Sequence, residues 1–218
     1  MALWHVRYDD WQMECCGTPF SVGDEVAWPL LLAERGQLSD PVGWEGELSV
    51  VEGLVEKVED FDDEADLDEE SDDEEEDDED DEDDEDEGDG DDDDEGGDRG
   101  WVAVVRDRGL TVCWGADDPL PERVRLTGLL SVERHGAQWP RTVGRVRAIH
   151  VVSEGFAETH PGSRTYEVVP GERRLRSVDT CPKWFKSHED QGQVRDGRGY
   201  RHDETGVLVE LEVTPPGR

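Results

Sequence analysis

No stretch of this 218-residue chain is apolar over the roughly 20 residues a bilayer crossing requires, and the N-terminus lacks a basic region followed by an apolar one, so a soluble, cytoplasmic protein is expected. Cysteine is scarce. Cys15, Cys16, Cys113 and Cys181 are too few for a disulfide scaffold at this length and are expected as thiols. No Cys-x-x-Cys pair and no Gly-rich nucleotide-binding loop occurs; the Gly96 and Gly97 pair merely closes an acid run. No segment keeps a convincing helical period over ten residues, which leaves strands as the building material.

Base is also missing from Asp62 to Glu95, where 29 of 34 residues are acids. Only Ala65 and Leu67 offer apolar side chains there, against an ordering cost of about 1 to 2 kcal/mol per residue, so residues 61–99 are expected to be a disordered acidic loop. Its carboxylates lie within a Debye length of about 8 Å of one another and extend the chain by repulsion. Of the net charge of −38, this run holds 29 negative charges and leaves −9 on the other 184 residues. The expected organisation is one discontinuous β domain from 1–60 and 100–214 with the acidic loop between its parts. The alternative is two small β domains joined by an acidic linker.

The rest of the chain reads as strands. Trp4, Val6 and Tyr8 alternate with His5, Arg7 and Asp9, one apolar face against one wet face. Cys15 to Pro19 breaks the period as a turn, and Phe20 to Trp28 resumes as a second strand. Leu48 to Val58 is a strand with a bulge or bend at Gly53, and Trp101 to Val105 with Leu110 to Trp114 forms a hairpin. Val124 to Val132 alternates strictly, Arg145 to Val152 follows, and Tyr166 to Val169 with Arg173 to Val178 reads as a hairpin turned by Pro170 and Gly171. Ser187 to Thr205 is expected as a mobile loop before a last strand, Val207 to Val213. The fold class is therefore all-β, a small barrel or sandwich of about nine or ten short strands, with Trp4, Trp28 and Trp114 in its core.

Two resemblances bear on this reading. Phe20, Val22, Gly23, Asp24 and Val26 are similar to the first turn and strand of SH3-like barrels, a fold expectation only. More of the opening, with Trp4, Val6, the run from Tyr8 through Val26 and then Trp28, resembles a family of small bacterial proteins with no assigned activity. Thr142 to Ile149 resembles that family's later Gly-Arg-Val strand. The resemblance implies a fold and transfers no catalytic residues.

Candidate sites are few. Arg123, Arg125, Arg145, Arg147, Arg173, Arg174 and Arg176 fall on polar phases of strands in a region, Pro121 to Lys186, with 12 bases and 7 acids. They offer an anion-binding face for nucleic-acid phosphate or for the acidic loop itself, or else ordinary arginines facing the acids of the first segment. Cys15 and Cys16 are a possible thiol site. Adjacent cysteines do not readily chelate one zinc ion together, and a composite site would need Cys113, Cys181 or a histidine. His5, Asp9, Asp10 and Glu14 are the nearby candidates for acid and base roles. No cofactor is implied. The function that follows first is a non-enzymatic interaction module whose acidic loop engages a basic protein. An anion or nucleic-acid-binding barrel is the alternative, and a thiol or metal enzyme the third.

Overall fold

The computed structural model describes residues 1–38, 43–59, 101–116 and 119–215. The acidic run, and with it the expected disorder of 61–99, lies outside the described residues. Among these, eleven strands and one short helix stand in the order β1 (Ala2–Asp9), α1 (Asp10–Cys16), β2 (Glu25–Trp28), β3 (Leu30–Glu34), β4 (Ser49–Glu59), β5 (Trp101–Asp107), β6 (Leu110–Trp114), β7 (Arg123–Val132), β8 (Thr142–Glu158), β9 (Tyr166–Val178), β10 (Glu189–Arg195) and β11 (Arg198–Val213).

Strands β7, β3, β6, β5 and β4 pair in that sequence and β4 pairs back onto β7, closing a five-stranded barrel. Gly53 lies where β4 passes from its pairing with β7 to its pairing with β5, and a Cβ there would sit 2.0 Å from the Arg106 carbonyl oxygen. Only glycine admits that approach. The other six strands form an outer sheet that grows from β7. Strand β1 runs parallel to β7, with Val6 opposite Leu130, and β11 and β8 follow in antiparallel order. The two long strands each serve two shorter ones, β8 taking β2 and β9, β11 taking β1 and β10. The segment from Glu25 to Glu34 changes partner at Pro29, β2 pairing with β8 in the outer sheet and β3 with β6 and β7 in the barrel. The turn resembling an SH3-like barrel thus leads into a strand outside the closed ring.

One buried cluster draws on both parts: Trp4, Val6 and Tyr8 of β1, Leu30 and Leu32 of β3, Val105, Val112 and Leu130 of the barrel, Val146 and Val209 of the outer sheet. The alternation read in β1 is therefore the burial pattern observed. Tyr8, Phe20 and Trp28 make an aromatic group, with ring centroids 5.7 Å apart for Tyr8 and Trp28 and 4.9 Å for Phe20 and Trp28. Trp114 is only partly buried, its indole N–H donating to Glu34 at 2.8 Å. Trp44 fills a second cluster with Leu129, Val152 and Leu208.

Three expectations are corrected. The Cys15 to Pro19 turn begins inside α1, a helix of two turns, too short to show a period over ten residues. Tyr166 to Val178 is one strand rather than a hairpin. It lies at the sheet edge, where Pro170 needs no ladder donor, and a register shift between Glu154 and Phe156 absorbs the irregularity. Ser187 to Thr205 contains a hairpin, β10 to β11, turned by Asp196 and Gly197 with φ of 50° and 78°. That Asp-Gly pair is the strongest short-range hairpin signal, and it stands in the sequence.

Candidate metal centre

Helix α1 is fixed in place by a side chain. Gln12, fully buried, donates through Nε2 to the Val132 carbonyl at 3.0 Å and accepts through Oε1 from the Arg134 N–H at 2.9 Å. The amide thus stitches the helix to the end of β7 and to the turn that follows. Met13 is buried beneath. At the helix end Gly17 N–H donates to the Gln12 and Met13 carbonyls, and the Lys183 ammonium donates to the Met13 carbonyl at 2.6 Å and the Gly17 carbonyl at 3.0 Å. A cation at a helix C-terminus satisfies carbonyls that have no intrahelical donor.

This anchoring brings the last two helical residues to the turn after β7. Its His135 is oriented by a backbone N–H to Glu133 Oε1 bond of 2.7 Å and by Trp11, stacked on the imidazole at 5.0 Å between centroids and 23° between planes. Cys15 Sγ and Cys16 Sγ each lie 3.8 Å from His135 Nε2, and all three donor atoms fall within 4.8 Å of one another on the exposed surface. With metal–sulfur bonds of about 2.3 Å and a metal–nitrogen bond of about 2.0 to 2.1 Å, a shared ion separates sulfur from nitrogen by about 3.6 Å at a tetrahedral angle and about 3.8 Å in a trigonal plane. The observed spacing is that of ligands to one ion. Sequence adjacency suggests that the two thiols cannot share an ion; in the helix both reach the same ring nitrogen.

A disulfide between the pair is the competing chemistry, and the backbone opposes it. Neighbouring Cα atoms across a trans peptide stand about 3.8 Å apart, below the roughly 4.4 to 6.8 Å of disulfides. The other two cysteines are buried elsewhere, and burial pushes the Cys181 thiol up to about 12. The remaining candidates near the pair have other partners. Asp9 accepts from Arg7 at 2.5 Å, and Glu14 accepts from the Phe185 N–H at 2.9 Å. Burial raises the Asp10 carboxyl above its ordinary value, and His5 lies on β1 opposite Glu210.

The seven arginines divide rather than converge. Arg123 and Arg125 are on β7 of the barrel, and Arg125 pairs with Glu52 at 3.2 Å. On β8, Arg145 donates to the Gly23 carbonyl at 3.1 Å and Arg147 pairs with Glu212. On β9 the alternation sends Arg173 and Arg174 to opposite faces. Arg173 pairs with Glu154 at 2.8 Å and lies over the Trp44 ring at 3.7 Å, while Arg176 pairs with Glu204 at 2.6 Å. Arg173, Arg7 and Trp44 line a cavity of about 280 Å³ together with Asp9 and Glu154. Burial pushes the Glu154 carboxyl up, but Arg7, Arg173 and the Thr205 hydroxyl outweigh it and hold the group below its ordinary value.

Sequence reasoning missed His135 as a site residue. It stands about 120 positions from the cysteines and its Gly136 neighbour marks a turn, so nothing local distinguishes it from turn chemistry. Among known families, DUF6578, a family of unknown function, matches residues 2–213. No curated protein and no solved structure matches the chain.

Proposed function

Because the chain belongs to DUF6578, whose function is unknown, its own geometry carries the reading, and we propose that it is a metal-binding β-barrel protein that holds a thiophilic ion on Cys15, Cys16 and His135. The observation that carries this is the equal 3.8 Å approach of both thiols to His135 Nε2. Two thiolates and an imidazole favour soft or borderline ions over calcium and magnesium, which take oxygen ligands. The role is binding, not catalysis. Metal analysis of the reduced full-length chain after loading and desalting tests it: one ion per chain is expected, and retention of that ion by Cys15→Ser/Cys16→Ser would overturn it.

A second reading concerns the acidic run from Asp62 to Glu95. Arg125, Arg147, Arg173 and Arg176 are engaged by carboxylates of the folded body itself, which favours a separate basic protein, over an internal arginine face or nucleic acid, as the partner of the polyanion. Pull-down with and without residues 62–95 tests this. Capture of basic proteins that depends on the segment supports it; equal capture by both forms, or copurified nucleic acid, rejects it.

A further inference from the structure

We infer that the ion held by Cys15, Cys16 and His135 is monovalent copper rather than zinc, an inference that rests on the metal-binding reading above and narrows it. Coordination number is the first argument. Among the described residues the cluster holds three donors of the His, Cys and carboxylate types, one nitrogen and two sulfurs, with no carboxylate joining it. Structural zinc is held by four protein ligands in a tetrahedron, whereas a d10 ion of single charge is satisfied by three in a plane.

Spacing is the second argument. Both sulfur to nitrogen distances are 3.8 Å, the edge of a planar set rather than the shorter edge of a tetrahedral one. Softness is the third. Two of three donors are thiolate sulfur, the ligand type that selects copper(I), and the third is imidazole, which suits copper as well as zinc. Position is the fourth. The site is exposed, and Trp11 covers a face of the imidazole without entering the cluster of donor atoms. An ion there is reachable by an incoming thiol, so ligand exchange at the surface replaces the slow opening that a buried site would need.

The test uses the reduced, metal-free full-length chain, with copper(I) titrated against a chromophoric copper(I) chelator under reductant and zinc titrated against a chromophoric zinc chelator. One copper(I) per chain is expected, bound at least about a thousandfold more tightly than zinc, with thiolate-to-copper charge transfer in the ultraviolet. Cys15→Ser and Cys16→Ser should each weaken copper(I) binding by about a hundredfold or more, and His135→Ala by about tenfold, since two thiolates remain. Trp11→Phe should leave affinity within a few-fold and remove most of the fluorescence change on binding. Because the substituted cysteines and His135 are exposed, circular dichroism should show each variant folded. Zinc bound as tightly as copper(I), with the same dependence on Cys15 and Cys16, would overturn the copper assignment and leave the metal-binding reading standing. Failure of both ions to bind, or binding that survives Cys15→Ser/Cys16→Ser, would overturn both.

Discussion

The closed barrel and the outer sheet solve the same problem by different means. In the barrel, five strands satisfy one another's backbone groups around a ring, and of its strands only Ser49, Asp107 and Thr111 are buried polar residues. Asp107 is held at once by Arg108 and by the Glu52 N–H. The outer sheet has open edges, and it is where Glu154, His202 and Glu204 are buried, with Arg173 and Arg176 bound to the two glutamates. Closure leaves little for side-chain polarity to do, whereas an open sheet relies on buried ion pairs to hold neighbours in register. Helix α1 and the thiol cluster sit where the two meet, at the end of β7.

The largest test of this contrast is Leu130→Ala. Leu130 is fully buried on the strand both parts share, opposite Leu32 of β3 and Val6 of β1. A loss of about 3 kcal/mol is expected in urea unfolding, in a single transition. Two separated transitions, one per part, would break the picture of a shared strand.

Arg173→Ala should cost about 2 kcal/mol near neutral pH, less than complete removal of a buried partner because Arg7 still faces Glu154 at 3.6 Å. The sign of the pH effect follows from the depressed Glu154 carboxyl. Its contribution is fully present above its ordinary value of 4.5 and is lost as pH falls below that, through the folded-state value. Stability of Glu154→Gln should therefore depend less on pH in this acid window than that of the native chain. Parallel curves for the two would show that the outer sheet does not depend on this charge. The smallest effect is chemical: alkylation of the native chain should label Cys15 and Cys16, and reach Cys113 and Cys181 only on unfolding. Rapid native labelling of Cys113 would show the barrel more open than its burial implies.

Much of this was legible in the residues. The alternation of β1, β7 and β11 and the β5 to β6 hairpin follow from period and turn chemistry. The continuity of β9 was hidden because Pro170 and Gly171 spell a turn, and only the edge position lets a strand pass through them. The Asp196 and Gly197 hairpin was visible in principle but masked by polar, glycine-rich surroundings. The site was half legible. The cysteine pair is conspicuous, but His135 joins it through a tertiary path, Gln12 bridging helix and turn, that no local pattern records. Likewise the arginines share strand phases while their strands belong to different walls.

Strand β4 ends on its pairing with β5 at Glu59 opposite Trp101, and the Lys57 ammonium lies 3.8 Å from the Trp101 ring centroid just inside that last rung. The seam is zipped to its rim, so whatever joins residues 59 and 101 is, for the barrel, an interchangeable tether. Shortening it from about forty residues to about four changes the closure entropy by only about 2 kcal/mol, in favour of the shorter form. The polyanion can thus lengthen, shrink or be swapped for another sequence over generations without renegotiating the architecture beneath it.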